Sequence, residues 1–369
     1  MIYTIFAGFA GLKVRGQLNQ TEGSRLSNKS NIGYYLSVTY FIENKCNDPA
    51  FNLALEQYVF DSLDRAFNYF LLWQNDNSII VGKHQNTIAE INQSFVKMNN
   101  INVVRRLSGG GSVYHDFGNI NFTFIADSKE DRKTDFSFFC SIIQKALVSF
   151  GVPALISGRN DIIADDEKKI SGNAQYAREG RVMHHGTLLY DTNLDALSGA
   201  LNVTDDKLES RGIKSVKSRV ANIRGYMKND MPAEIFLAEL KKYFFKELDL
   251  YEYCLSPFDL LKVDEIKENR YSKWSWNYGS SPPYNIKKTR RIEGCGKIEV
   301  LLNVGKEGII ENVAFYGDFF NIDDLCLLAE KIKGNHLEYN ELYSVLKEID
   351  LPRFISNITL EGFLALVFE

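Results

Sequence analysis

The densest cluster of chemistry-bearing residues is Arg105-Arg106-Leu107-Ser108-Gly109-Gly110-Gly111-Ser112-Val113-Tyr114-His115-Asp116. Consecutive glycines leave backbone N–H groups uncovered by side chains, and the paired arginines before them add positive charge. The segment therefore reads as a cradle for a phosphate or carboxylate. A glycine-rich hairpin turn is the competing reading. A Walker A loop is excluded, because Tyr114 stands where its second glycine belongs and no Gly-Lys-Ser/Thr occurs. The GxGxxG pattern fails at the same Tyr114, so no nicotinamide-dinucleotide fingerprint is present.

Three further segments carry candidate chemistry. Gly158-Arg159-Asn160-Asp161 leads through a turn, Asp165 to Lys168, into Lys169-Ile170-Ser171-Gly172-Asn173-Ala174. The charged turn reads as a solvated hairpin tip. On a strand, the period of two places Lys169 with Ser171 and Asn173 on a polar face, where a lysine suits neutralisation of a developing anion. In His184-His185-Gly186-Thr187 the adjacent side chains point to opposite faces. With no HExxH and no cysteine partner, zinc ligation is disfavoured. His185 with Thr187 is the better candidate to line a pocket, while His184 packs or is exposed. The last segment, Arg211 to Asn222, holds basic residues and serines that suit a flexible anion-binding loop, with a solvated linker as the alternative.

These residues sit in a chain of 369, which suggests two or three domains. Lys plus Arg total 43 against 47 for Asp plus Glu, so a net charge of -4 offers no global attraction to nucleic acid or anionic membrane. Cys46, Cys140, Cys254, Cys295 and Cys326 are too scattered for a CxxC pair, which fits a reducing cytoplasm. Residues 1 to 35 open on an apolar run with no preceding Lys or Arg. They read as an extension, a poorly ordered tail or an over-long start-site assignment, and not as an export signal.

The elements that must position the motifs follow from spacing. A strand in Leu36 to Asn44 precedes an amphipathic helix capped by Asp48-Pro49, with Phe51, Leu55, Tyr58 and Val59 on one face. Short strands are expected at Phe70 to Trp73, Ser78 to Val81 and Val103 to Arg106, with one helix from Ile88 to Asn99. Asn119 to Ala126 alternates strictly, so Ile120, Phe122 and Phe124 should face the core while Asn119, Asn121 and Thr123 face water. Thr134 can cap a helix that Gly151 and Pro153 end. Strands recur at Asp161 to Ala164, Lys168 to Ala174 and Met183 to Tyr190, and helices at Asp195 to Leu201 and Ala233 to Leu248. Trp274 to Tyr284 has the turn chemistry of a connector, placing a domain boundary near Pro283. Beyond it come a hairpin, Gly296 to Asn303 and Asn312 to Gly317, and further helices.

In this order and spacing the segments resemble the lipoate-protein ligase family. Its RRxSGGGxVxHD motif stands as Arg105 to Asp116, its NFTF-like strand as Asn121 to Phe124, and its GRND and KxSGxA motifs as Gly158 to Asp161 and Lys169 to Ala174. Its HHGTLL stands as His184 to Leu189 and its GIxSVxSRVxN loop as Gly212 to Asn222. Trp274 to Gly279 and the part after it look like that family's linker and C-terminal accessory domain. Two departures are visible: the turn before Lys169 is short, and Leu107 occupies a position that can be basic.

The resemblance implies an α+β fold of the biotin and lipoate ligase kind, with a large catalytic domain of mixed β-sheets flanked by helices (36–283) and a small α/β C-terminal domain (284–369). It implies a two-step reaction in which lipoate attacks the α-phosphate of ATP, with Mg2+, to give lipoyl-AMP, and a lysine of an acceptor domain then takes the lipoyl group. Implied acceptors are the lipoyl domains of 2-oxoacid dehydrogenase E2 subunits and the glycine cleavage H protein. Carried over residue by residue, Lys169 would be catalytic. Arg106, Gly111, Ser112, Val113, Tyr114, Lys169, Gly212, Ile213, Ser215 and Val216 would contact ATP or the adenylate. Arg106, Ser108, Gly109, Gly110, His185 and Lys169 would contact lipoate, and Asn160 and Asp161 would take the magnesium and phosphate side. The competing enzyme class is a cysteine-dependent octanoyl or lipoyl transferase on the same scaffold. It is disfavoured because no cysteine lies near Gly158 to Lys169 and Cys140 sits in an apolar helix pattern. A catalytically dead scaffold protein is the third reading, against which the intact Lys169 and glycine run count.

Overall fold

Asp48 starts the first helix as the sequence predicts: its carboxylate accepts from the Ala50 N–H at 2.9 Å, and Pro49 fills the first turn of α1 (Pro49–Ser62). The expected amphipathic character is corrected. Asn52, Glu56 and Gln57 are buried along with Leu53, Leu55 and Val59, because strands lie on one side of α1 and the helix Pro257–Ile266 on the other. A helix covered all round must satisfy its polar side chains internally, and these do.

The computed structural model describes residues 38–127, 136–158, 160–202, 219–279, 284–305 and 308–368. All of them fall in one compact unit, Gly33–Glu369. The main sheet has eight strands. In chain order they are β1 (Thr39–Glu43), β2 (Asn68–Trp73), β6 (Asn119–Asp127), β7 (Leu155–Ser157), β8 (Asp161–Ile163), β9 (Lys169–Arg178), β10 (Arg181–Leu189) and β11 (Leu250–Tyr253). Their spatial order is β11-β1-β2-β6-β10-β9-β8-β7. The β1 pairings are parallel and those from β2 through β7 antiparallel, so the sheet is mixed. A second sheet, β4-β3-β5, joins β3 (Ser78–Val81), β4 (Asn102–Arg105) and β5 (Val113–His115) and carries the arginine–glycine motif between its strands.

One face of the main sheet is covered by the helices Phe136–Ser149 and Ala233–Glu247. Phe139, Ile143 and Leu147 from the first and Phe236, Leu240 and Phe244 from the second meet Phe41, Phe70, Phe122 and Phe124. Full burial of such side chains is worth about 1.5–3 kcal/mol each before entropy is counted. Cys140 lies in this core, fully buried. The Thr134 cap falls outside the described residues.

Two other expectations change. The single helix over Ile88 to Asn99 is two, Thr87–Glu90 and Gln93–Met98, because Asn92 caps the second with its side chain and Ile91 leaves the helix to bridge Leu201. The side of β6 expected to face water is buried too, since the strand is covered throughout except at Asp127. It forms the floor of a cleft.

The C-terminal part holds a three-stranded sheet, β12-β13-β14, made of β12 (Ile286–Ile292), β13 (Gly296–Val304) and β14 (Ile310–Gly317), where a two-stranded hairpin was expected. Helices follow, and a core drawn entirely from residues between Cys295 and Val367 lies beneath them. The boundary proposed near Pro283 falls outside the described residues. No helix among the described residues is long and apolar enough to cross a membrane.

Candidate active site

A cleft opens over β2, β6, β10 and β9, bordered by the glycine loop. Its lining includes Leu53, Trp73, Ile80, Arg106, Gly110, Gly111, Ser112, Val113, His115, Asn121, Asn160, Lys169, Gly172, Asn173, Ala174, His185, Gly186 and Thr187. Apolar groups and a few convergent polar ones are the make-up of a small-molecule site.

Lys169 stands at the β9 end. The strand alternation that grouped it with Ser171 and Asn173 is broken by a β-bulge: Ile162 pairs with Ser171 but Ile163 pairs with Lys169. The lysine is thereby turned onto the face of Gly172 and Ala174. Its Cε and Nζ lie 2.7 Å from the point where a Cβ on Gly172 would be. Asp161 Oδ1 holds the ammonium at 2.8 Å. The Lys169 backbone is clamped on its other edge, donating to Arg219 O at 2.9 Å and accepting from the Ala221 N–H at 3.0 Å. The chain leaving the basic loop is thus tied beside the lysine. Gly212, Ile213, Ser215 and Val216 themselves lie outside the described residues.

The arginines do not serve alike. The Arg105 guanidinium donates to the carbonyls of Gly82, Lys83, Gln85, Trp276 and Asn277 and to Thr87 Oγ1, fixing the one-turn helix Trp274–Asn277 to β4. It is a structural clamp, not part of an anion cradle. Arg106 borders the cleft, but its guanidinium donates to Ser108 Oγ (2.9 Å), Ile80 O (3.2 Å), Gly109 O (2.6 Å) and Gly111 O (2.9 Å), so it braces the loop from behind. Burial pulls the pKa of both guanidinium groups down to about 10, which leaves them charged at neutral pH.

The glycines divide similarly. A Cβ on Gly109 would sit 2.1 Å from Phe319 O, and Gly110, at φ +88°, donates its N–H to that same carbonyl at 3.1 Å. These two seat the backbone of the C-terminal part, where Phe319 also stacks on His84. The expectation that all three amides are open to an anion therefore fails at Gly110. Gly111 has open space around it. Ser112 Oγ is held by Gln85 Oε1 at 2.8 Å. Tyr114 lies buried with Ile79 and Leu197 in a separate core, so only its backbone is near the loop; burial pushes its phenol up to about 12.

The paired histidines separate as their strand requires. His184 is sealed between Phe122 and Phe139, with ring centroids 6.0 and 4.7 Å away, and burial holds it neutral, well below the ordinary imidazole range. His185 lines the cleft. Its Nδ1 meets Glu56 at 2.9 Å and its Nε2 meets Ser108 Oγ at 2.6 Å, while Glu56 also accepts from Thr123 Oγ1 at 2.5 Å. Glu56, His185, Ser108 and Arg106 form one buried chain beneath the glycine loop.

Of the residues expected at the site, Arg106, Gly110, Gly111, Ser112, Val113, Asn160, Lys169 and His185 border the cleft. Ser108 and Asp161 act one contact behind it, on His185 and Lys169. Gly109 and the Tyr114 side chain serve packing. The sequence reading missed Leu53, Glu56, Trp73, Ile80, His115 and Asn121. Asn52 and Glu56 carried a usable signal: polar residues four apart inside an apolar helix share a face and need buried partners. Among the described residues no cluster of three His, Cys, Asp or Glu side chains could hold a metal ion, and no cysteine borders the cleft.

Comparison with known proteins bears on this geometry. Residues 48–245 match the family described as the lipoyl protein ligase A/B catalytic domain, and residues 281–367 match that of the bacterial lipoate protein ligase C-terminus. The chain is 44% identical over 332 residues to lipoate-protein ligase LplJ of Bacillus subtilis, covering 89% of this chain and 99% of that one. It is 40% identical over 319 residues to lipoate-protein ligase 1 of Staphylococcus aureus, covering 86% and 96%. Among solved structures, P. falciparum LipL1 in complex with lipoate shares the fold at a TM-score of 0.69 and 24% identity, over 89% of this chain and 97% of that one. Lipoate-protein ligase A bound with ATP aligns at 0.57 and 25%, over 66% and 99%. A bipartite ligase from Thermoplasma acidophilum, described with its E2 lipoyl domain, aligns at 0.57 and 26%, over 68% and 99%.

Proposed function

The chain belongs to the lipoate-protein ligase family, and from that premise we propose how its own cleft performs an ATP-dependent ligation of lipoate to protein. The observation that carries the reading is the position of Lys169: a cation held by Asp161 at the end of a cleft floored by β9, β10 and β6, across from the open Gly111 backbone.

Attack of one anion on another needs fixed positive charge where charge accumulates. Lys169 draws the lipoate carboxylate and the α-phosphate of ATP together. A carboxylate oxygen bonds to that phosphorus, pyrophosphate leaves, and the mixed anhydride lipoyl-AMP remains. In the second step the neutral amine of an acceptor lysine attacks the acyl carbon, AMP leaves with the electrons of the broken acyl–oxygen bond, and the nitrogen releases one proton to solvent as the amide forms. Gly111, Ser112 and Val113 line the nucleotide side of the cleft, and Arg106 acts through the loop carbonyls it holds. Gly212, Ile213, Ser215 and Val216 are the further contacts that the family resemblance assigns to the adenylate. Asn160 and Asp161 offer the oxygens that a magnesium ion takes when phosphate and water fill most of its shell; bound there, the ion would supply charge neutralisation on the phosphates. Acceptors are the lipoyl domains of 2-oxoacid dehydrogenase E2 subunits and the glycine cleavage H protein, and the compartment is the cytoplasm.

The absence of any cysteine on the described cleft lining favours this ligation over acyl transfer through a thiolate. Incubating the purified chain with an unmodified lipoyl domain, lipoate and MgATP tests the proposal by intact mass. A lipoyl adduct that requires ATP supports it, and an adduct formed without ATP from an acylated carrier protein replaces it with the transferase.

A further inference from the structure

Buried polar side chains in the cleft wall are paired one by one except at its far end. His115 and Asn121 are 3% and 1% exposed and both line the cleft, yet among the described residues His115 Nε2 and Asn121 Nδ2 have no partner. They flank Trp73: its ring is 6.3 Å from the His115 ring, and Trp73 pairs with Asn121 across β2 and β6.

The polarity at His115 is fixed by a relay of amides. Asn52 Nδ2 donates to the carbonyls of Cys46 and Gln74, at 2.9 and 3.1 Å, so it is the nitrogen, and it also donates to Asn75 Oδ1 at 2.9 Å. Asn75 must then present its own Nδ2 to His115 Nδ1, which it meets at 3.0 Å. Nδ1 accepts, so the proton of the neutral ring lies on Nε2 and faces the cleft. Burial, with Arg106 and His185 adding to it, holds the imidazole down to about 3 and thus neutral. On β6, the Asn121 and Asn119 amides meet at 2.9 Å, and each keeps one polar atom without a partner among the described residues, so Asn121 can turn either its oxygen or its nitrogen to the cleft and takes no part in the polarity argued at His115.

This end is remote from the anion end. Lys169 lies on β9, and β10 and β6 stand between it and Trp73 on β2, three strand spacings or about 14 Å away. With the carboxylate at Lys169, the tail of a medium-chain acid reaches the Trp73 end. A hydrocarbon tail would leave the His115 N–H buried with no acceptor, whereas a ring sulfur offers lone pairs, weak acceptors but acceptors.

We propose that His115 is a specificity-determining residue that selects the sulfur-bearing dithiolane ring over a purely hydrocarbon tail. This rests on the ligase reading above. The comparison that isolates it uses the unaltered enzyme and acids of matched shape. Pyrophosphate exchange is measured with lipoate and with its carbocyclic analogue cyclopentylpentanoate, in which both sulfurs are CH2. Lipoate should have the higher kcat/KM by about five- to tenfold, and His115→Phe and His115→Leu should each shrink that ratio toward one. Equal use of the two acids by the unaltered enzyme overturns the proposal, because shape alone then decides. A ratio unchanged in both variants also overturns it. Exchange with neither acid overturns the ligase reading and this inference together, so the failures are told apart.

Discussion

Lys169 lies across Gly172, with Cε and Nζ both 2.7 Å from the place a Cβ at position 172 would take. The absence of a side chain there decides where the ammonium can stand. The contact falls at the far end of a flexible side chain, so Gly172→Ala should fold with a stability change within about 1 kcal/mol. The ammonium must move aside, and a displacement near 1 Å costs about 10²-fold in rate. We expect kcat for pyrophosphate exchange to fall about that much with the melting temperature nearly unmoved. Retained activity would show that the lysine has room to spare.

Glu56 accepts from two buried groups, His185 Nδ1 and Thr123 Oγ1. Glu56→Ala strands both, and each unsatisfied buried group costs about 1–3 kcal/mol. A loss of about 2–5 kcal/mol in urea unfolding is expected. Glu56→Gln keeps an acceptor oxygen and should lose less than half of that. Equal losses in the two variants would mean that volume, not hydrogen bonding, is what Glu56 provides.

The three glycines of the loop should respond unequally. At Gly109 a Cβ meets Phe319 O at 2.1 Å, a backbone atom that cannot swing away, whereas at Gly111 no atom of the described residues lies within 4 Å. Gly109→Ala should cost about 3 kcal/mol or more by forcing the Phe319 segment off the loop. Gly111→Ala should stay within about 1 kcal/mol, so that any loss of activity there reports on ligand. Thermal unfolding of the two variants side by side checks the order.

Acid should destabilise the fold through histidine as well as through carboxylates. His84 and His115 are held down to about 3 by burial, and His184 is lowered as well. An unfolded imidazole titrates near 6.5, so the unfolded chain binds more protons at any pH between about 6.5 and 3. Stability is therefore full above about 6.5 and falls as the pH drops through that window, by about 1.4 kcal/mol per pH unit for each histidine. His84→Gln should flatten the pH dependence of urea unfolding by about one such increment. Parallel curves for the variant and the parent would contradict the assignment.

What the sequence made legible follows local rules. The Asp48 cap, the burial of His184 against the cleft position of His185, and the strand carrying Asn121 to Phe124 depend on near neighbours, and each formed where periodicity put it. What failed depends on distant partners. No local pattern tells that Arg105 is spent on the carbonyls of residues 276 and 277, or that Gly110 gives its N–H to Phe319. The Lys169 face was misjudged because one bulge, set by pairing with Ile162 and Ile163, inverts an alternation that is otherwise regular. His115 stood in the motif without a role and Trp73 escaped notice, because a cleft wall and a core wall look alike in sequence, both apolar with an occasional polar group.

Whether Lys169 brings a lipoate carboxylate and ATP together in this cleft is decided by exchange of labelled pyrophosphate into ATP by the purified chain. Exchange should require both lipoate and magnesium and be lost in a folded Lys169→Ala variant. Exchange without lipoate, or full exchange by that variant, would contradict this expectation.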